Sequence, residues 1–169
     1  QRVSPEKVEA AHRFVKRLGA TKPTSLVLYQ GDSAKWYGNI ADITMVDRYP
    51  VPWLPLANFS QHIHKTRLAT NAERPLIAVI QSFDWTEHQS LLPGEENLRP
   101  PTERELRSMT YSALARGANG IFYYSYADMR LKERKYPELW EALKRVVKEV
   151  RRRETLFAAE HVWWPKAHH

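Results

Sequence analysis

The stretch Leu76-Ile77-Ala78-Val79-Ile80-Gln81-Ser82-Phe83, entered through Arg74-Pro75, decides how this chain is read. It is a near-continuous apolar run of strand length, the pattern of a strand buried on both faces. Such strands belong to parallel sheets covered by helices, so helical patterns should alternate with further runs of the same kind. They do. Ser25–Gln30 and Ile43–Tyr49 precede it and Gly120–Tyr126 follows it, each with a connection that contains, or has room for, a helix.

The helical patterns have their own punctuation. Ser4-Pro5 opens a first helix, with Ser as cap and Pro at the first helical position. Val8, Ala11, Val15 and Leu18 recur along it at helical spacing, and Gly19 ends it. Gly31-Asp32-Ser33 starts a short turn or helical segment through Trp36-Tyr37, short for a covering helix. Pro50, Pro52 and Pro55 keep the next loop extended before a helix from about Ala57 to Ala69, with Phe59 and Ile63 on one face. Asp84–Pro101 is a long polar connection containing Pro93-Gly94, a length typical of loops that bind or move. Thr102-Glu103-Arg104-Glu105 has capping-box spacing, ahead of a stripe of Leu106, Met109, Ala113 and Leu114 that runs to Gly117. A last helix begins near Pro137 and turns Trp140, Leu143, Val146, Val147 and Val150 inward.

Four such units are half of the eight that close a (β/α)8 barrel. The expected fold is therefore α/β: half of a TIM barrel, four parallel βα units preceded by a helix. Residues 1–155 are expected to form the half-barrel domain and 156–169 a C-terminal tail. A half-barrel exposes two strand edges and an apolar concave face, both prone to association. The expected partner is the chain itself, a homodimer pairing first strand with last to close eight strands. A partner chain supplying the missing units, or a rearrangement of the edges, is the alternative.

Composition narrows the classes. A chain of 169 residues is one domain by length, and it has no Cys, which excludes disulfides and thiolate metal sites and fits a cytoplasmic location. No apolar run reaches the length of a membrane span and no signal peptide is visible, so no membrane partner is expected. The excess of 26 Lys+Arg over 19 Asp+Glu gives +7, and Lys144, Arg145, Lys148, Arg151, Arg152 and Arg153 crowd the last helix. Cations at a helix C-terminus complement its dipole, and no aromatic stacking platform is interleaved with these, so nucleic acid is not the expected partner. His62 and His64 point to different faces of one helix, and phosphate-loop and dinucleotide fingerprints are absent; no metal and no cofactor are expected.

Three segments carry a resemblance: Ala41-Asp42-Ile43-Thr44-Met45-Val46-Asp47-Arg48-Tyr49-Pro50, then Arg74 to Gln81, then Pro101-Thr102-Glu103-Arg104-Glu105-Leu106-Arg107 running on to Gly117-Ala118-Asn119-Gly120-Ile121-Phe122-Tyr123-Tyr124. In that order they resemble the C-terminal half of (β/α)8-barrel glycoside hydrolases, including beta-galactosidase-like families. The resemblance spans roughly Pro23 to Arg153 and implies that the four strands correspond to strands five through eight. It implies an acid/base carboxylate after strand four, which would precede Gln1. It also implies a nucleophile after strand seven, where this chain presents the amide Gln81.

Active sites of such barrels lie at the C-terminal ends of the strands. Asp47 closes an apolar strand, where desolvation raises a carboxylate's pKa; it is the candidate general acid/base, against a structural pairing with Arg48 or loop amides. Asp84 and Glu87 are candidates for the second carboxylate, although Asp84-Trp85-Thr86-Glu87 also has capping spacing. Gln30, Asp32, Tyr49, Gln81, Tyr124 and Tyr126 are candidate substrate contacts, with a helix N-cap as the competing role for Asp32. Trp53 and Trp85 lie in loops after strand ends, where indoles either stack on sugar faces or cover core. The expected function is a glycoside-hydrolase-like hydrolase acting on carbohydrate or a similar small molecule. The alternative is a non-catalytic carbohydrate-binding or scaffold half-barrel that lacks the carboxylate pair.

Overall fold

The computed structural model describes residues 3–71, 74–91, 94–127 and 136–158. Four parallel strands, β1 (Ser25–Leu28), β2 (Ile43–Val46), β3 (Leu76–Gln81) and β4 (Gly120–Tyr124), lie in the order β1-β2-β3-β4. Register runs Ser25 to Ile43, Thr44 to Leu76 and Ile77 to Gly120, so each strand pairs with the next in sequence. Crossovers are made by a 3-10 turn Gly31–Ser33 leading into α2 (Ala34–Tyr37), by α3 (Leu56–Ala69) and by α4 (Glu103–Ala115). α1 (Pro5–Arg17) precedes β1, while α5 (Pro137–Arg151) and the short α6 (Glu154–Ala158) follow β4. The four-stranded, all-parallel α/β sheet is the architecture expected from the alternating runs.

Alternation along the strands divides the side chains between two faces. Val46, Leu76, Ala78 and Ile80 point to the helices, where they meet Phe59 and Ile63 of α3, Leu106, Met109 and Ala113 of α4, and Leu139, Leu143 and Val146 of α5. This is the main core, and each fully buried aliphatic or aromatic side chain in it contributes about 1.5–3 kcal/mol. A smaller cluster of Leu28, Ala34 and Tyr37 lies over β1, with Val8 of α1 against it.

α4 starts as its sequence dictates. Thr102 accepts from the Glu105 amide at 3.3 Å, Glu105 accepts from the Thr102 amide at 2.8 Å, and both carboxylate oxygens of Glu105 take the Arg99 guanidinium at 2.7 and 2.8 Å. The Arg99 bonds, with the Thr102 amide second, hold the Glu105 carboxyl down to about 2. α4 and α5 are joined across their surfaces by Arg107 and Tyr111 on Glu149 and by Arg145 on Glu103.

Two expectations need correction, the strand lengths and the Ser4 cap. The strands are shorter than the apolar runs, because the chain turns at Gly31, Pro50 cannot donate to a ladder, and only single bonds such as Asp47 amide to Leu28 carbonyl continue beyond. The stripe of α1 is covered only at its start: Val8 packs on the smaller cluster, while Val15 and the C-cap Leu18 are exposed. Ser4 occupies the N-cap in extended backbone, but its hydroxyl makes no cap hydrogen bond. Residue 155 lies within α6, where Phe157 packs edge-on against Tyr111 at 5.7 Å. Residues 159–169 of the expected tail lie outside the described residues.

Candidate functional site

The face of the sheet opposite the helices forms a depression of about 400 Å³ at the C-terminal ends of the strands. Val27, Met45, Val79 and Phe122 make its floor, and Asp47, Tyr49, Phe83 and Tyr124 stand at its mouth. The 3-10 segment Trp85–Leu91 folds over one side and adds Trp85, His88 and Leu91. The centre is well covered, with Met45, Val79 and Phe83 buried, but the flanking strands are not: Val27 is 44% exposed, Phe122 55% and Tyr124 48%.

Aromatic rings build the mouth. Tyr49 and Tyr124 stack at 5.9 Å and 19°, Phe83 stands edge-on to Tyr49 at 5.1 Å and to Trp85 at 4.9 Å, and Trp53 leans on Trp85 at 5.9 Å. His88 is edge-on to Phe83 at 5.1 Å. The indole Nε1 of Trp85 is buried without a hydrogen-bond partner among the described residues. A wall of this kind offers flat apolar faces with polar tips, suited to a ligand that is itself flat and hydroxylated.

Asp47 is the carboxylate in this wall. It is half-buried, and its Oδ1 is fully enclosed with no hydrogen-bond partner among the described residues. Burial pushes its carboxyl up to about 6, opposed only by a bond from its own amide. The alternative pairing with Arg48 does not form: Arg48 Nε donates to Asn58 Oδ1 at 2.9 Å, and its guanidinium lies 4.9 Å from the centroid of the Tyr29 ring. Burial raises the Tyr49 phenol well above its ordinary range, and the charges of Asp47 and Tyr124 push in the same direction.

The other candidates separate cleanly. Asp84 is 5% exposed and fully engaged: its Oδ1 accepts from the Thr86 amide at 2.8 Å and hydroxyl at 2.7 Å, and its Oδ2 accepts from the Tyr136 hydroxyl at 2.8 Å. It caps the 3-10 segment and ties it to the start of α5. Glu87 lies within Trp85–Leu91, and its side chain is outside the described residues. Gln81 is fully buried and pairs both ways with the backbone of Val51, donating to its carbonyl at 2.9 Å and accepting from its amide at 3.0 Å. The amide expected to touch substrate instead holds the loop that carries Trp53.

Asp32 is exposed and bonded to Lys65 of α3, which lowers its pKa; it is not among the residues lining the depression, and it does not fill the competing N-cap role, since the turn has no side-chain cap. Gln30 is exposed at the N-cap of that turn, away from the depression. Tyr126 turns toward α5, edge-on to Trp140 at 6.1 Å. Phe83 and His88 were missed as site residues. Phe83 shares the parity of Val79 and Gln81 along its run, which is the signal that places it on the concave face; His88 had none.

Fold and site thus define an open, parallel α/β half-sheet with an aromatic mouth around Asp47, whose enclosed Oδ1 has no partner among the described residues. No protein-family model, no curated protein and no solved structure matches this chain, so its functional reading rests on this geometry.

Proposed function

We propose that this chain is a glycoside-hydrolase-like half-barrel whose aromatic mouth takes a carbohydrate and whose Asp47 is the general acid/base. The observation that carries the reading is the state of Asp47. It is a half-buried carboxylate with an enclosed, unpartnered oxygen and a pKa raised to about 6, in a wall of aromatic rings. A carboxyl poised there holds a proton to give to a departing glycosidic oxygen, and takes one from water near neutral pH. Trp53, Trp85 and Tyr124 present faces on which the C–H surface of a sugar ring stacks.

Glycoside hydrolysis uses two carboxylates flanking the bond. With Asp84 engaged by Thr86 and Tyr136, Glu87 is the remaining candidate in this chain for the second. The test is hydrolysis of an aryl-glycoside panel as a function of pH. The expected profile has a limb near pH 6, and Asp47→Asn lowers kcat by about 10²–10⁴. Unchanged turnover in that variant would remove Asp47 from the chemistry.

The engagement of Asp84 favours one second reading, a non-catalytic carbohydrate-binding half-barrel. Under it, glycan-array binding persists without turnover and Asp47→Asn leaves binding intact, whereas Trp85→Ala abolishes it.

A further inference from the structure

Two apolar surfaces of this chain are largely uncovered, the C-terminal part of the α1 stripe and the concave face beside β1 and β4, and a third, on the outer side of α5, is partly so. On α5, Trp140, Leu143 and Val147 floor a groove of about 540 Å³, rimmed by Lys144, Lys148, Arg151 and Arg152. No acidic side chain lines it among the described residues, and of its cations Lys144 is already paired with Glu141. α5 lies against α4 at the β4 side of the sheet, and β4 has one edge without a strand partner among the described residues. The groove therefore faces the place where the helix of a neighbouring unit would pack in a closed barrel.

A second copy is a poor occupant of that place, for two reasons. In this chain the three gaps between strands already have their crossover segments, while α1 flanks β1 beyond α2 and α5 flanks β4. One copy thus supplies cover for both junctions of a closed ring, and a second copy would bring another α1 and α5 to the same two junctions. A barrel has one helix per strand. The second reason is charge. The α1 that would face the groove carries Lys7, Arg13, Lys16 and Arg17 against Glu6 and Glu9, so it is itself cationic.

We infer that the groove on α5 seats an acidic amphipathic helix belonging to a different four-stranded unit, one that brings helices only for its own three internal gaps. Apolar residues of that helix cover the exposed parts of Trp140 and Val147, and its carboxylates meet Lys148, Arg151 and Arg152. The adjoining strand extends the sheet at β4. This rests on the half-barrel reading above but not on the chemistry assigned to Asp47.

The test titrates the whole chain with a labelled peptide of about 18 residues, Leu on one helical face and Glu on the flanks, and with the same peptide carrying Lys for Glu. Light scattering and an apolar-surface dye are read in parallel. The expected result is a single-copy mass of 19.8 kDa, dye binding, and saturable, salt-sensitive binding of the Glu peptide only. The double variant Lys148→Glu, Arg151→Glu weakens that binding roughly tenfold while keeping the helical signal of the chain. Four results overturn the proposal: a stable species of twice the mass, equal binding of both peptides, indifference to the double variant, or a DNA duplex that occupies the groove and excludes the Glu peptide. A 19.8 kDa chain that binds no dye would sink the half-barrel reading itself, whereas loss of peptide binding with dye binding intact sinks this proposal alone.

Discussion

Asp47 and His62 respond to pH in opposite directions, and each sign follows from its surroundings. Burial raises the folded-state pKa of Asp47 to about 6, above the ordinary carboxylate value of 3.8, so the folded chain holds that proton more tightly than the unfolded one. Its contribution to stability is therefore fullest below about pH 4 and is lost as pH rises through about 6. Asp47→Asn removes the charge, and above pH 7 it should stabilise the chain by about 1 kcal/mol after allowance for solvent screening. Calorimetry at pH 5 and pH 8 checks this: the gain should appear at pH 8 and shrink at pH 5, and an equal gain at both would mean the carboxyl is not desolvated. His62 accepts a hydrogen bond from the Gly31 amide on Nδ1 at 2.9 Å, and burial, Arg48 and Lys65 lower its pKa, against the smaller pull of Asp32. The folded state then resists protonation, so its contribution is present above about pH 6.5 and falls as the solution is acidified through the lowered value. His62→Gln should flatten that part of the stability profile. At this scale, a carboxylate's position at the end of an apolar strand was enough to single out Asp47. The capping role of Asp84 was legible in its spacing, but its bond to Tyr136 and the role of Gln81 were not, because Tyr136 and Val51 are brought to them only by the fold.

Elements that combine local propensity with long-range burial were the readable ones. α4 announced itself through Thr102 and Glu105, and the structure supplies both bonds of the capping box together with the Arg99 clamp. Thr102→Ala should cost about 1 kcal/mol, measured by denaturant unfolding, and a neutral result would mean that Glu105 and Arg99 hold the turn unaided. β3 was equally plain, since Leu76, Ala78 and Ile80 are all fully buried against helices. α1 was read correctly as a helix stopped at Gly19, and its apolar period is real, but periodicity shows that a helix has a face to bury, not how much of it the same chain buries. The long connection after β3 was read as an undivided polar loop, yet its first part is a 3-10 segment roofing the concave face, held by Asp84 at one end and packed through Trp85. The loop after β2 depends on Gln81 in the same way. Replacing Gln81 with Ala leaves the Val51 amide and carbonyl buried without their partner and opens a cavity, an expected loss of about 2–4 kcal/mol. Trp53 should also become more exposed, visible as a red shift in its emission. A variant of near-native stability would show that the loop is held by its prolines alone.

For the molecule as a whole, the decisive quantity is how much apolar surface remains outside after four strands have been covered on one side. Leu28, Val46, Ala78 and Ile80 are sealed beneath helices, whereas Val27, Phe122 and Tyr124 on the reverse face are about half in solvent. Surface of that kind, bordered by unpaired strand edges, promotes association of the lone chain and disappears when a second unit closes over it. Phe122 separates these two states. Its ring contributes little to the lone chain because more than half of it is exposed, so Phe122→Glu should shift the melting temperature only slightly. A carboxylate on the floor of the depression should also raise the concentration at which the chain associates, since it breaks the apolar patch and repels its own kind. In a closed barrel the same substitution buries an unpaired charge, and closure should be lost. Thermal unfolding and concentration-dependent light scattering of the chain and the variant, run side by side, distinguish the cases. A fall of roughly 10 °C in melting temperature, far more than an exposed side chain accounts for, would mean that Phe122 is already packed against a covering surface in solution and that the concave face is not open.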